Sequence, residues 1–426
     1  MANIFGTNGN DTITPGFISA GVTGFPTAGS DTIRGRAGND TINGGGGNDI
    51  IFGEGGNDNL EGGAGIDQLD GGSGNDTIRS DGDGGSYFGG TGNDLMFSAL
   101  GLETMDGADG IDTIDHRAFN GNYVFNMVNG LTNFGGESYT NFENVFMGNG
   151  DDTVTGNGAS NVINAGGGND SVNGGDGNDT VFGEAGNDNL VGGAGADRLN
   201  GGDGNDTISS DGDGGIYNGD AGNDFMSSGF GTETMDGGTG IDTIDHTIFN
   251  GNYVFNMVTG LTNFGGESYT NFENVNMGNG ADNILGNGAN NVINARGGND
   301  TIDGGNGNDT INGGDGNDLI LGGKGTDTLE GGLGADTFDF NSVTGSPNAV
   351  SRDIITNFRW GEGDKIDLVG IDANQTIAGN QAFALSQLTF NSTTNILVAD
   401  VIGGADFSVS LVAVQNGFST NLDVIP

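Results

Sequence analysis

No cysteine occurs in the 426 residues, which removes disulfides, thiolate nucleophiles and thiolate metal sites, so something else must staple the fold. Basic side chains are almost as scarce: 10 lysines and arginines stand against 58 aspartates and glutamates, for a formal charge of −48. A surface this acidic repels phosphate backbones and anionic lipid heads, which argues against nucleic acid and direct membrane binding. No apolar run approaches the roughly 20 residues of a transmembrane segment. The opening MANIFGTNGNDT has neither the basic nor the apolar region of a cleaved signal peptide. Export is therefore expected to follow a route that ignores the N-terminus.

Histidine is nearly absent too. His116 and His246 are one position copied 130 residues apart, each closing the phrase IDTIDH. A zinc protease needs H-E-x-x-H, with two histidines one helical turn apart, and the chain has no such motif. The sequence GGSGND around Ser73 is a repeat turn and not a nucleophile elbow. Matches to G-x-G-x-x-G are by-products of repetition. DGDGG at Asp81 and Asp211 opens like an EF-hand loop, but the twelfth positions are Gly92 and Gly222, so solvated turns are expected. A structural role is expected for both histidines, and no catalytic residue is assigned.

What the chain does have is glycine, 92 of them, set in a nine-residue period. From Gly35 the phrases GRAGNDTIN, GGGGNDIIF, GEGGNDNLE, GGAGIDQLD and GGSGNDTIR follow one another. The sixth position carries Asp11, Asp31, Asp40, Asp49, Asp58, Asp67, Asp76, Asp94 and Asp112. After a break it carries Asp152, Asp170, Asp179, Asp188, Asp197, Asp206, Asp224 and Asp242, and after a second break Asp282, Asp300, Asp309, Asp318, Asp327 and Asp336. The eighth position is apolar, as in Ile42, Ile51, Leu60, Leu69 and Ile78.

Nine is not a helical period, and glycine at this density opposes helix. The unit divides into six turn residues and a three-residue strand such as TIN, whose middle side chain alone faces inward. Two units make one coil, with turns on both edges and two thin parallel sheets between. Coils then stack at about 4.8 Å. A core of single apolar residues is too thin to offset the ordering of so many glycines, and rows of stacked aspartates oppose it further.

A cation is therefore required. Calcium takes six to eight oxygens in forgiving geometry, and each turn offers a carboxylate and exposed carbonyls. Stacking two units apart would let Asp40 share an ion with Asp58, Asp49 with Asp67, and Asp58 with Asp76. Magnesium wants a tighter octahedron, and softer metals want nitrogen or sulfur.

GGSGNDTIR, GGDGNDTIS and GGNGNDTIN resemble the repeat G-G-x-G-x-D-x-U-x of RTX, or hemolysin-type, calcium-binding proteins. The resemblance covers most of residues 6 to 339. It implies an all-β parallel β-roll, multiple Ca2+ ions between turns at the sixth-position aspartates, and secretion of the unfolded chain by the type I secretion machinery. Asn161 and Asn291 substitute a neutral amide at the sixth position, and Glu103 and Glu233 sit in poor turns, so those sites are expected to be weak or empty. GADTFDF, RDIITNF and GEGDKIDLVGID resemble the C-terminal region of serralysin-type exoproteins, which caps the roll and holds an uncleaved export signal. Asp423, Val424 and Ile425 at the terminus are similar.

The expected organisation is an N-terminal segment at 1–25, roll blocks at 26–115, 147–245 and 277–339, strand insertions at 116–146 and 246–276, and a cap at 340–426. The alternating apolar residues around Asn129 and Gly130 suggest strands joined by a turn. Threonines at position seven, such as Thr41 and Thr207, form an outward row that suits strands. The expected function is a secreted, non-enzymatic calcium-binding protein, structural or adhesive in the envelope or matrix, with cell-surface or matrix polysaccharide as a partner class. The other reading is a polysaccharide-modifying enzyme or hydrolase with its site outside the repeats.

Overall fold

The computed structural model describes residues 2–99, 101–341, 352–359, 361–369, 388–391, 396–399, 407–411 and 424–425. Backbone contacts divide the chain into two compact units, Met1–Ala221 and Gly222–Pro426. Each is an all-β parallel solenoid, with no helix among the described residues.

In the first unit Thr41–Gly46 pairs in parallel with Asn59–Ala64, placing Ile42 on Leu60. Ile50–Gly55 pairs with Asp67–Ser73, placing Ile51 on Leu69. Partners lie 18 residues apart, so two nine-residue units close one coil and alternate units feed opposite sheets. The second unit repeats the register, with Ile284 on Ile302 and Ile311 on Leu329. Position eight forms the core because a strand directs alternate side chains to opposite faces. Ile42, Ile51, Leu60, Leu69 and Ile78 are at most 2% exposed.

Many strands have the three residues expected, as Thr77–Arg79 and Thr207–Ser209 do, but others are longer. Strands such as Thr41–Gly46 and Thr180–Ala185 run for six residues, because the glycine-rich start of the next unit goes on pairing with the coil above. Gly45 pairs with Gly63 and Glu184 with Gly202. Close stacking of the turns also explains the glycine at the fourth position. Gly56 has a φ of 127°, and a Cβ there would collide with the carbonyl of Gly38 one coil away.

The 31-residue insertions are modified coils. Val124–Asn126 turns back antiparallel onto Leu131–Thr132 and begins a new sheet against Thr153–Thr155. Ser138–Thr140 pairs with Glu103–Asp109 and is the last strand of that sheet, while Asn144–Phe146 continues the opposite one. In the second unit Val254–Asn256, Leu261–Thr262 and Ser268–Thr270 repeat the arrangement.

Beyond the repeats, Ile354–Thr356 stacks on Thr328–Leu333 and Lys365–Asp367 on Thr337–Asp339. An antiparallel meander of Leu388–Asn391, Ile396–Ala399 and Phe407–Leu411 joins the first of these, and Val424–Ile425 pairs with the second. Asp423 lies outside the described residues.

Candidate metal centre

Every sixth-position aspartate named above is buried, and none is more than 4% exposed. They are joined in ladders along the turn edges, each backbone N–H donating to the carboxylate one coil further on. Asp11 donates to Asp40 Oδ1, Asp40 to Asp58, Asp58 to Asp76, Asp76 to Asp94 and Asp94 to Asp112, all at 2.7 Å. The opposite edge carries Asp31, Asp49 and Asp67. After the first insertion, Asp152, Asp170, Asp188 and Asp206 form one ladder and Asn161, Asp179 and Asp197 another. In the second unit Asp224 donates to Asp242. Ladders also run from Asp282 through Asp300 and Asp318 to Asp336, and from Asn291 through Asp309 to Asp327.

One oxygen of each carboxylate is thus occupied, and the second decides the chemistry. Oδ2 of Asp40, Asp49, Asp58, Asp67, Asp76, Asp94 and Asp112 is buried with no hydrogen-bond partner among the described residues. The same holds for Asp170, Asp179, Asp188, Asp197 and Asp242 and for Asp300, Asp309, Asp318, Asp327 and Asp336. A buried, unpaired carboxylate oxygen is costly, so a whole row of them calls for a cation.

Glycine at position one makes the room. A Cβ built on Gly44 would strike Asp49 Oδ2 and the carbonyl oxygen of Gly62, and one on Gly53 would strike Asp58 Oδ2 and the carbonyl of Gly71. Gly174 and Gly313 repeat this with Asp179 and Gly192, and with Asp318 and Gly331. Each cradle therefore gathers a carboxylate oxygen and a carbonyl oxygen from the adjacent coil. Among the described residues no three His, Cys, Asp or Glu side chains converge on one point. The donor set is instead hard oxygen, part side chain and part backbone, which fits calcium.

The electrostatics agree. Burial pushes the Asp40 carboxyl up to about 6 and those of Asp76, Asp170 and Asp318 up to about 7, with the stacked aspartates on either side adding to the effect. The ion pairs Arg34–Glu54 and Arg117–Asp115 lie off these ladders, while Arg359–Glu362 sits beside the end of one at Asp336.

Several positions differ. Asp11 Oδ2 accepts the N–H of Thr7 at 2.5 Å, and Asp31 Oδ2 that of Thr27 at 2.7 Å. At Asp31 burial raises the carboxyl, but the N–H groups of Ala2 and Thr27 outweigh it and hold the group low. Asn161 Oδ1 likewise accepts the N–H of Asn157, while its amide donates to the carbonyl of Glu143; Asn291 does the same with Asn287 and Glu273. In the unit lacking aspartate, the Tyr87 hydroxyl reaches into the space beside Gly85 and donates to the carbonyl of Gly84. Glu103 is fully buried, accepts from Ser80, and is pushed up to about 7 by that burial.

The ladders also include residues that the nine-residue period missed. Asp327 donates to Asp353 Oδ1 and Asp336 to Asp364 Oδ1, across 26 and 28 residues. Asp112 and Asp242 donate to Glu143 and Glu273. The available signal was an acid two residues before a buried apolar side chain: Ile355, Ile366, Val145 and Val275.

The histidines stand apart from this chemistry. His116 is buried with ring centroids 4.9 Å from Tyr123 and 5.0 Å from Tyr139, and burial pushes it down to about 3. His246 matches it and contacts Ser228 Oγ at 2.6 Å. Asp81 and Asp83 form an exposed turn in which the Asp83 N–H donates to Asp81.

The family model of the RTX calcium-binding nonapeptide repeat matches residues 25–60, 52–87, 148–181, 182–217, 211–244, 278–311 and 303–338, together just over half of the 426 residues. No curated protein matches the chain.

Proposed function

The chain belongs to the RTX calcium-binding nonapeptide repeat family and binds calcium at multiple sites, and from that premise we propose that it is a secreted protein whose roll is assembled by calcium. The carrying observation is the row of buried Oδ2 atoms without partners, many of them, as at Asp49, Asp58, Asp179 and Asp318, beside a carbonyl from the next coil. In this reading the aspartates from Asp40 to Asp112, Asp170 to Asp242 and Asp300 to Asp336 supply the carboxylates, with Asp40 and Asp58, Asp49 and Asp67, and Asp58 and Asp76 sharing ions. Bound calcium supplies the positive charge that lets like-charged turns stack. Asp11 and Asp31 are weaker ligands than these, because a backbone N–H already engages their second oxygen.

Folding then follows the calcium gradient. Inside a cell the ion is scarce and the chain stays extended, which suits passage through a type I secretion channel; outside, binding energy becomes folding energy. With no catalytic constellation assigned in the repeats or insertions, the secreted roll acts as a structural or adhesive element of the envelope or matrix, in contact with polysaccharide. Circular dichroism tests this reading. In chelator at pH 7 the chain should be disordered, and calcium should induce β-structure with several ions counted by native mass spectrometry. A spectrum indifferent to calcium would overturn it.

A further inference from the structure

The second insertion carries a feature unrelated to the aspartate ladders. Four rings follow one another around a cleft: Phe230 and Phe249 at 5.1 Å between centroids, Phe249 and Tyr253 at 5.2 Å, and Tyr253 and Phe264 at 5.4 Å. Glu267 also lines the cleft and is 7% exposed. Its Oε2 accepts the hydroxyls of Tyr253 and Thr262, at 2.7 and 2.6 Å. Both hydroxyls use the same oxygen, so Oε1 is without a hydrogen bond among the described residues. Phe230 and Phe264 are 74% and 48% exposed, a poor use of large apolar rings unless they have something to bind.

We propose that this cleft is an aromatic cage for a quaternary ammonium group. Aromatic faces attract cations through their quadrupole, and a desolvated carboxylate adds a full charge. The volume, about 210 Å³, is below the roughly 300–1,000 Å³ of sites for drug-sized ligands and suits a small headgroup. Charge points the same way: the sequence holds no lysine or arginine from residue 199 to 295, and the chain carries −48 overall. A bare phenylalanine cleft would take any apolar group, and the buried carboxylate is what selects a cation.

The first insertion repeats the frame with Phe119, Tyr123 and Phe134 in a cleft of its own. The sequence there has Leu100 where the second copy has Phe230, and Arg117 in place of Thr247. The missing ring makes it the weaker of the two.

Calorimetric titration of the calcium-loaded full chain with choline tests the cage. Binding at roughly millimolar affinity or tighter is expected, weakened about 10-fold by Phe230→Ala and by Glu267→Gln. Phe230 is exposed, so its removal should leave the calcium-induced dichroism unchanged; Phe264→Leu gives a second exposed variant. The uncharged isostere 3,3-dimethylbutan-1-ol should bind at least about 10-fold more weakly than choline. Parallel titration with phosphatidylcholine vesicles distinguishes a lipid headgroup from a free cation, and saturable binding of either that weakens about 10-fold in Phe230→Ala supports the site. Absent choline and vesicle binding, equal affinity for the neutral isostere, preference for methyl glucoside, or indifference to both phenylalanine variants would overturn the proposal while leaving the calcium reading intact.

Discussion

Asp76→Asn should change stability in opposite directions with and without calcium. Asp76 lies mid-ladder: its Oδ1 accepts the N–H of Asp58 at 2.7 Å and its Oδ2 has no hydrogen-bond partner among the described residues. Burial, with Asp58 and Asp94 stacked on either side, pushes its carboxyl from 3.8 to about 7. In a water-free site that displacement corresponds to about 4 kcal/mol. Screening at the turn edge reduces it to about 2 kcal/mol. An amide relieves this penalty, so in chelator at pH 7 the variant should require less sucrose than the parent to gain β-structure, sucrose being excluded from protein surface and favouring compact states. In calcium the same change deletes a ligand from adjoining turns. The calcium midpoint should rise at least about 10-fold, because affinity follows ligand charge, and the urea midpoint should fall. Dichroism reads both arms. A shift of the same sign in chelator and in calcium would refute the assignment of Asp76 as a calcium ligand.

Acid should partly replace calcium. The roll raises its aspartates, to about 6 at Asp40, Asp67 and Asp300 and to about 7 at Asp112, Asp170 and Asp309. Their contribution to folding is full below the unfolded value near 3.8 and is lost as pH rises through 6 to 7, so chelated protein should lose β-structure on titration from pH 4 to 7, and a flat titration would contradict this. Gly53→Ala places a methyl group where Asp58 Oδ2 and the Gly71 carbonyl converge, and should cost about 1–3 kcal/mol of calcium-loaded stability. Gly158→Ala, with nothing within 4 Å of the added carbon, is the control and should be near neutral by urea unfolding. Hydrogen exchange during partial chelation should show amides of 123–145 and 253–275 protected longer than those of 41–79, and uniform loss would contradict separate sources of stability.

The repeats were readable because period and physics coincide in them. An aspartate nine residues from the next, and an apolar residue two positions after each, marked both the inward face and the stacked edge. The same logic failed wherever a coil changed length. Asp353 and Asp364 complete ladders from Asp327 and Asp336, but loops of extra length displace them from the nine-residue frame, leaving only the acid-x-apolar spacing as a signal, and the pairing of Ile355 on Leu329 and Ile366 on Phe338 gives them their place. Capping of Asp11 and Asp31 by N–H groups four residues back was equally hidden, since any turn residue can supply an N–H. The aromatic cleft of the second insertion depends on Phe230 meeting Phe249 across nineteen residues of chain. No local pattern encodes that meeting.

The irregular coils share one property. Where the ladder loses its carboxylate or shifts its frame, protein donors take over part of the work assigned elsewhere to the ion, while Glu103 Oε2 stays buried without a hydrogen-bond partner among the described residues. The Tyr87 hydroxyl fills the space beside Gly85, Ser80 donates to Glu103, Tyr123 and Thr132 donate to Glu137, and the Asn161 amide donates to the carbonyl of Glu143. These groups cluster in and beside the first insertion, together with a neutral buried histidine and its aromatic neighbours. The second insertion repeats the set, with Tyr253 and Thr262 on Glu267 and Asn291 on Glu273. A roll made only of aspartate coils would depend on calcium along its whole length, because every buried oxygen pair would await a cation. The irregular coils instead give each unit a segment in which hydrogen bonds from tyrosine, threonine and asparagine side chains meet part of the demand that the ion meets elsewhere.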